Sequence, residues 1–358
     1  MDNKISVIRP IRANDLDALY QMAVESGPGF TSLPANRELL AKKIAASEKD
    51  LSSNITKPAG ESYLFVMEQG ANAKVIGVCG IEAAVGLKEP FYHYRLGKVV
   101  HASRELGVHN TFRTLYLCND YTGSSEVCTL YLAPDSRHSN NGGLLSKSRF
   151  MFMAEFQQRF TEKVIAEMRG VSNEHGQSPF WDGLGRHFFS MEFSEADYLT
   201  GIGNKVFIAE LMPKHSIYLH LLPKTAQQVI GQVHQNTVPA RKMLEREGFR
   251  YENYVDIFDA GPTLACHLSD IRAVQDSHYT RVHIGPAHPH SIPYLISNTQ
   301  LSNFRCTMLN IGPSEGQITL PADVASLLEV SQGDRVRVVA LKPALPDSEP
   351  DITQSKAT

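Results

Sequence analysis

The residues best suited to chemistry lie in a polar, glycine-containing loop between residues 134 and 143. Arg137, Asn140 and Gly142 stand there with the spacing Arg-x-x-Asn-x-Gly. A turn of this kind can direct several backbone N–H groups at one point, and a helix that starts beside it adds its positive N-terminal end. Such a point binds phosphate, so the loop is a candidate phosphate site. An ordinary strand-to-helix connection that binds nothing fits the loop alone equally well.

The elements on either side of the loop would hold it in that geometry. Residues 127–132 alternate in character and are rich in β-branched, aromatic and aliphatic side chains, which predicts a strand. Residues 144–159 follow a helical pattern, and residues 150–153 are apolar all round, which predicts a buried helix. Asn140 tolerates a positive φ angle better than most residues, so the loop can close there.

A histidine later in the chain is a second candidate. We predict a strand over residues 229–234 that ends in His234, and then a helix over residues 236–249 with Pro239 in its first turn and Gly248 near its end. Histidine titrates near neutral pH, so His234 could serve as an acid or a base. A structural histidine that bonds a loop carbonyl is the alternative interpretation.

Composition excludes several classes of function. The chain has 358 residues, 42% hydrophobic and 20% charged, which is enough to bury a large core. The net charge of −3 provides no basic surface for nucleic acid. No apolar run is long enough to cross a bilayer and the N-terminus does not resemble a signal peptide, so we expect a cytoplasmic protein without a membrane partner. The spacing of the five cysteines and of the histidines suits neither a disulfide framework nor a metal site, so we expect reduced thiols and no metal.

The order of predicted elements indicates an α+β chain in four parts. Residues 1–200 form a first half that carries the loop, and residues 201–275 form a second half that carries the histidine. Residues 276–345 form a small β-rich subdomain with a strand, a helix and a strand, and residues 346–358 are predicted to be a disordered tail. The subdomain faintly resembles DNA-binding modules, but it lacks a basic arm, so we interpret it as a structural cap.

Other elements are predicted along the chain. Residues 5–10 form a strand, and Asn14 caps the helix that follows. Residues 30–34 connect two N-terminal helices. Residues 62–84 form a hairpin, and residues 205–211 form a strand.

The loop and the helix after the histidine resemble the GCN5-related N-acyltransferases. The coenzyme loop of that family has the pattern Arg/Gln-x-x-Gly-x-Gly/Ala, and Asn140 stands where it usually has glycine. The family's segment Asn-x-x-Ala followed by Gly-Phe is matched from Asn236 to Phe249, with one extra residue before Ala240. Leu244 stands where the family usually has a tyrosine that protonates the leaving thiolate. The resemblance implies an acyl-CoA-dependent enzyme with a GNAT-like fold, in which two acyltransferase-like halves surround a mixed central sheet.

Longer segments narrow this resemblance to the arginine N-succinyltransferases. The matching segments are residues 31–36, 122–126, 145–153, 166–171 and 209–215. The resemblance implies that succinyl-CoA, as a co-substrate, donates succinyl to the α-amino group of arginine, with no permanently bound cofactor. It also implies that Leu130 contacts succinyl-CoA and that His234 is the proton donor to the leaving thiolate, whose conjugate acid has a pKa of about 8.5. The connection at residues 30–34 usually lies over the acceptor site in acyltransferases, so these residues are candidates for acceptor contacts. The family includes assemblies of two related subunits, so both a homo-oligomer and a hetero-oligomer stay open.

The remaining site residues follow from the chemistry of the two substrates. We predict pyrophosphate contacts from Arg137, Asn141, Gly142 and Gly143, and a backbone contact with pantetheine from Leu130. An acceptor guanidinium needs a carboxylate, and a succinyl carboxylate needs a cation. The charged candidates on elements that we expect to face the site are Asp120, Glu126, Glu167 and Arg169. A solvated or structural ion pair is the alternative for each of them.

Two other functions stay open at this point. The first is an N-acyltransferase for ornithine or another amino acid, which the sequence does not separate from one for arginine. The second is an inactive acyltransferase-like regulator that uses its C-terminal unit to bind DNA. The presence of Gly142 and His234 and the lack of a basic patch argue against the second.

Overall fold

The structure is a computed structural model, and it describes residues 5–27, 30–70, 72–204, 206–286, 292–312 and 316–342. The strands in these ranges are β1 (Ser6–Pro10), β2 (Ser62–Gln69), β3 (Lys74–Glu82), β4 (His93–Ser103), β5 (Val108–Cys118), β6 (Ser125–Leu132), β7 (Lys163–Glu167), β8 (Ile217–Tyr218), β9 (Arg250–Val255), β10 (Pro262–His267), β11 (His278–Ile284), β12 (Ile292–Ser297), β13 (Cys306–Ile311), β14 (Gln317–Leu320) and β15 (Arg335–Ala340). The α-helices are α1 (Leu16–Ser26), α2 (Arg37–Ser52), α3 (Asn141–Glu155), α4 (Arg186–Phe189), α5 (Phe193–Gly201), α6 (Val206–Leu211), α7 (Lys224–Val229), α8 (Val238–Arg246), α9 (Arg272–Gln275) and α10 (Ala322–Leu328). None of the described helices is long and apolar enough to cross a lipid bilayer.

These strands form one mixed sheet with the order β14-β11-β15-β12-β13-β1-β2-β3-β6-β7-β10-β9-β4-β5-β8. Within the described ranges, β6 pairs with β7 and β11 pairs with β14 in parallel. The other pairs are antiparallel. The predicted hairpin over residues 62–84 is confirmed as β2 and β3. Strands β4 and β5 form a second, longer hairpin.

Helix α3 lies at the centre of the main hydrophobic core. Its residues 150–153 are fully buried, which confirms the predicted buried helix. Phe152 packs against Phe65 of β2, with ring centroids 4.9 Å apart, and against Phe304 at 5.2 Å. The helix also packs against β3 and β6. Burial therefore fixes the axis of α3, and the N-terminal turn that follows the loop is fixed with it.

Two of the predicted strands are wrong. Residues 229–234 form no strand, because α7 runs up to Val229 and Gly231 then turns the chain with a φ of 76°. Residues 205–211 were predicted as a strand from their apolar side chains, but α6 occupies Val206–Leu211. Ile208 is buried there while Val206 is exposed, so the segment packs one helical face. In both places tertiary packing overrides the local β preference.

Two predicted helix starts are displaced. Helix α3 begins at Asn141, three residues earlier than predicted. Asn14 is no cap, because it lies inside a 3-10 turn at Ala13–Asp15. The carboxylate of Asp15 takes the anchoring position instead, and it accepts two hydrogen bonds from the buried Arg9 guanidinium at 2.7 and 2.8 Å. The actual anchor is a long-range ion pair that a local capping pattern does not reveal.

The C-terminal part has the predicted strand, helix and strand, which are β14, α10 and β15. It joins the rest of the molecule directly, since β13 pairs with β1 and Arg337 donates to the carboxylate of Glu155 at 2.9 Å. The division between residues 200 and 201 falls within α5 and stays a prediction. The predicted tail lies outside the described residues.

Candidate active site

The loop after β6 is closed by residues in the left-handed conformation. A 3-10 turn at Pro134–Ser136 leads to Ser139 and Asn140, whose φ angles are 51° and 60°. The predicted positive φ of Asn140 is thus confirmed. Helix α3 starts immediately afterwards at Asn141. The departure from glycine at this position therefore leaves the loop able to close.

Asn141 holds the loop together instead of facing a ligand. Its Nδ2 donates to the carbonyl of Ser136 at 3.0 Å, and its Oδ1 accepts from the hydroxyl of Ser6 at 3.3 Å. Its backbone N–H donates to the carbonyl of His138 at 3.0 Å. The side chain is buried by these contacts. We therefore correct the predicted pyrophosphate contact of Asn141 to a positioning role.

Gly142 and Gly143 are the second and third residues of α3, where N–H groups have no carbonyl partner within a helix. A Cβ atom added to Gly142 would meet no other atom within 4 Å, so the space beside this turn is open. Arg137 of the same loop is exposed, and its Nε donates to the carbonyl of Leu132 at 3.0 Å. The helix N-terminus and the guanidinium together form a candidate phosphate site.

Strand β6 separates from β7 before it reaches the loop. The parallel pairing ends at Glu126 and Ile165, and no described strand pairs with that side of β6 beyond this point. Thr129 has a φ of 51°, which is unusual for a β-branched residue, and the pairing with β3 is irregular at the same place. Leu130 lines the cavity described below, and its contact with pantetheine stays a prediction.

A buried arginine supports this bulge. Arg149 is 2% exposed, and its Nη1 donates to the carbonyl of Cys128 at 3.2 Å. Its Nε and Nη2 donate to the carbonyl and the hydroxyl of Ser146, both at 3.0 Å. The guanidinium therefore links the bulged strand to α3, which fixes the position of Leu130 relative to the helix N-terminus.

One cavity of about 780 Å³ extends from the loop to the sheet interior. The lining at the loop end has charges of both signs: Lys74 and Arg137 are positive, and Glu25 and Asp135 are negative. The inner end is rich in carboxylates. Its charged lining residues are Glu126, Arg149, Glu167, Arg169, Asp197, Asp256 and Asp259. A long ligand with an anionic outer end and a cationic inner end would suit this distribution.

The inner wall is built on the turn between β9 and β10. The two oxygens of Asp259 accept from the N–H groups of Gly170 at 2.6 Å and Gly261 at 2.8 Å. Asp256 Oδ1 accepts from the N–H groups of Phe258 and Asp259 at 2.7 and 2.9 Å. Burial raises the pKa of both carboxyls, and the charge of Asp256 raises the pKa of Asp259 further. A cation in the cavity would stabilise their ionised forms.

The connection between α1 and α2 covers the same wall. Phe30, Thr31 and Ser32 line the cavity, and the hydroxyl of Thr31 donates to the carboxylate of Asp197. The prediction that residues 30–34 contact the acceptor stays a prediction.

His234 itself is not among the described lining residues of the cavity, but it lies next to residues that are. Its backbone N–H donates to the carbonyl of Arg169 at 2.9 Å, and its Nδ1 accepts from the N–H of Asn236 at 3.2 Å. The neutral ring therefore has its proton on Nε2. Asn236 and Thr237 line the cavity, and the imidazole is half-buried. Partial burial and then the charge of Arg169 lower the pKa of His234.

Comparisons with known proteins identify the family. A family model described as arginine N-succinyltransferase beta subunit matches residues 6–273. The chain belongs to the arginine N-succinyltransferase family. A second model, described as the C-terminal domain of that subunit, matches residues 278–340.

Members of this family resemble the chain over nearly its whole length. Arginine N-succinyltransferases of Citrobacter koseri and of Escherichia coli strain 55989 are each 52% identical over 336 residues, which cover 94% of this chain and 97% of the relative. The solved structure of arginine/ornithine succinyltransferase subunit AI from Pseudomonas aeruginosa has a TM-score of 0.88 and 38% identity, and it covers 95% of this chain and 100% of that one. The chain is thus an acyltransferase with the predicted α+β, GNAT-like fold.

The family's chemistry needs an acid near the thioester, and the helix that usually supplies one has none at the expected position. Leu244 of α8 is buried and lines the cavity, where many GCN5-related enzymes have tyrosine. An aliphatic side chain donates no proton. The acid must therefore come from another element, and His234 immediately before α8 is a suitable candidate.

Three of the four charged residues that we considered line the cavity, and the structure adds residues that the sequence analysis did not identify. Glu126, Glu167 and Arg169 line the cavity. Asp120 is not among the described lining residues, and it accepts a hydrogen bond from Tyr254 at 2.7 Å. The residues that sequence analysis missed are His93, Arg149, Asp197, Asp256 and Asp259. Only the apolar surroundings of Arg149 within α3 gave any sign of a buried charge.

Proposed function

We propose that the chain transfers succinyl from succinyl-CoA to the α-amino group of arginine, as a step of arginine catabolism. The observation that carries this proposal is the single cavity that starts at the α3 loop, follows the separated part of β6 and ends at a wall of carboxylates. This arrangement fits a coenzyme thioester that meets a cationic amino acid. Family membership supports the same conclusion.

In this proposal the coenzyme binds mainly through backbone groups. The pyrophosphate lies on the N–H groups of Gly142 and Gly143, with Arg137 beside it. The pantetheine amides pair with β6 around Leu130, where no described strand competes for those groups. Arg149 has an indirect role, because it holds the bulge through the carbonyl of Cys128.

The reaction moves one proton from the acceptor to the sulfur. The neutral α-amino nitrogen attacks the thioester carbonyl, the new C–N bond replaces the C–S bond, and the thiolate leaves. In our proposal the imidazolium form of His234 donates its Nε2 proton to that thiolate. The proton given up by the new amide nitrogen then returns the neutral imidazole to the imidazolium form. A thiol has a pKa of about 8.5, so a weak acid suffices.

Arg169 is our candidate for binding the succinyl carboxylate. Its guanidinium lines the cavity, and its buried Nε has no hydrogen-bond partner among the described residues. The charge of Arg169 also lowers the pKa of His234. A carboxylate bound to Arg169 would offset that charge, so the imidazole would protonate more readily once the acyl donor is in place.

Detection of free thiol with succinyl-CoA and acetyl-CoA, each with and without arginine, tests the function. We expect release only when succinyl-CoA and arginine are both present, and an Arg169→Gln variant should lose the preference for succinyl-CoA over butyryl-CoA. Thiol release with ornithine but not with arginine would show that ornithine, and not arginine, is the acceptor. No arginine-dependent release with any acyl-CoA would refute the proposal.

Two further expectations belong to this proposal. We infer a cytoplasmic location, because all five cysteines are free thiols. Assembly with a second copy or with a related subunit stays a prediction, which the mass of the purified protein in solution would test.

A further inference from the structure

A fully buried histidine lies behind the acidic wall. His93 opens β4 and packs edge-on against the rings of Phe91, Tyr121 and Tyr254. Its Nε2 lies 2.9 Å from Oε1 of Glu167, whose carboxylate lines the cavity. Neither ring nitrogen has a partner in full hydrogen-bond geometry among the described residues. Buried polar groups are normally bonded, so this arrangement calls for a functional explanation.

The surroundings of His93 keep it neutral. Burial lowers its pKa to about 4, and the charges of Asp256 and Asp120 oppose that effect only in part. A neutral imidazole can offer one N–H to Glu167 without cancelling the charge of the carboxylate. The side chain of Glu167 is 29% exposed, so it is accessible from the cavity. His93 is therefore suited to orient a carboxylate whose charge is used elsewhere.

Other charges of the inner wall come from three elements. Asp256 and Asp259 lie on the turn after β9, Asp197 lies on α5, and Arg169 follows β7. Both oxygens of Asp259 accept backbone N–H groups, so that residue mainly holds the turn. The carboxylates of the described inner lining outnumber its two cations, Arg149 and Arg169, and the Arg149 guanidinium is bonded to Cys128 and Ser146. A cation supplied by a ligand would stabilise the ionised carboxylates.

We propose that Glu167, with Asp256 on the same wall, binds the guanidinium of the acceptor, and that His93 is a positioning residue for Glu167. The inference rests on the proposed function, because it requires an amino acid acceptor in this cavity. A guanidinium presents N–H groups in a planar fork that matches a carboxylate through two parallel bonds. An ammonium group on a shorter chain reaches less far and lacks the fork. Glu167 thus sets the preference for arginine over shorter or neutral acceptors.

A thermodynamic cycle tests this proposal: one change removes the charge of the enzyme carboxylate, and the other removes the charge of the substrate guanidinium. The enzyme change is Glu167→Gln, and the substrate change is arginine to citrulline, which has nearly the same shape but a neutral urea group. We expect Glu167→Gln to lower kcat/KM for arginine roughly 10- to 100-fold. The value for citrulline should change little, and the KM for succinyl-CoA should stay the same. The ratio of arginine to citrulline therefore falls by the same factor as the arginine value.

Asp120→Asn is the matched control, since Asp120 is a carboxylate whose charge acts on His93 but which lies outside the described cavity lining. It should leave the arginine-to-citrulline ratio unchanged. An unchanged ratio in Glu167→Gln would overturn the inference while the proposed function stands. If Glu167→Gln does not fold, Glu167→Asp replaces it, and an unaltered KM for arginine in that variant would equally overturn the inference. Absence of arginine-dependent turnover in the wild type would instead refute the function.

The role of His93 has its own readout. His93→Asn keeps an N–H donor and His93→Leu removes it. We expect the KM for arginine to rise in His93→Leu and to recover in part in His93→Asn, with the KM for succinyl-CoA unchanged in both. Equal changes in the two KM values would indicate a merely structural residue.

Discussion

Gly142→Asp is the substitution that most sharply tests the coenzyme loop. The structure predicts no clash within the protein, because a Cβ at this position meets nothing within 4 Å. A carboxylate in the first turn of α3 should even stabilise the helix by about 0.3–1 kcal/mol. The new side chain would instead occupy the space that we assign to the pyrophosphate. Any loss of activity in this variant must then come from weaker coenzyme binding and not from impaired folding.

The size of the effect follows from Coulomb's law. A carboxylate about 5 Å from one phosphate charge, at an effective dielectric constant of about 20, costs about 3 kcal/mol. We therefore expect the KM for succinyl-CoA to rise roughly 100-fold. Gly142→Asn has nearly the same volume without the charge and should raise KM much less. The KM for arginine should stay near the wild-type value in both variants.

Steady-state kinetics at low and high ionic strength, together with thermal unfolding, provide the assay. The difference between the Asp and Asn variants should shrink as salt screens the charge. The unfolding midpoint should be unchanged or slightly higher in Gly142→Asp. An unchanged KM for succinyl-CoA in that variant would refute the assignment of the loop. A collapse in stability would refute the reasoning about open space.

Three further predictions concern the acid, the buried histidine and a buried ion cluster. His234→Gln should lower kcat by about 100- to 10,000-fold with unchanged CoA affinity in calorimetry, and near-normal turnover would contradict its role. His93 has its pKa lowered from 6.5 to about 4, so the folded state binds fewer protons than the unfolded state between these values. Its contribution to stability is present above pH 6.5 and should be lost, by up to about 3 kcal/mol, as the pH falls towards 4; urea unfolding should show this loss in the wild type but not in His93→Asn. The side chain of Glu247 is 1% exposed and lies 2.8 Å from Lys147 and 2.9 Å from Arg272. Glu247→Gln should therefore lower the free energy of unfolding by about 3–5 kcal/mol, whereas the turnover of the folded fraction stays the same.

The strand, loop and helix around the proposed coenzyme site could be predicted from the sequence because their signals are local. The alternation of residues 127–132, the turn residues of the loop and the apolar run at residues 150–153 each determine their own element. Asn140 was predicted to take a positive φ angle, and it does. The start of α3 was predicted three residues too late. Asn141 is held there by Ser136 and by Ser6, which is distant in the sequence.

The acceptor half could not be predicted in the same way. Glu167 is the last residue of a strand in the middle of the chain, His93 opens a long hairpin, and Asp256 lies on a late turn. These residues meet only because β7, β10, β9 and β4 are neighbours in the sheet, and no local pattern encodes that order. The predicted strand over residues 229–234 failed for a related reason. His234 is positioned by the carbonyl of Arg169 and not by a strand of its own.

A crystal structure of the protein with bound CoA would test the central claim most directly. The account predicts the pyrophosphate on the N–H groups of Gly142 and Gly143, and the coenzyme sulfur within about 4 Å of His234 Nε2, or linked to it by one water. A pyrophosphate bound away from α3, or a sulfur separated from the imidazole by packed side chains, would contradict it.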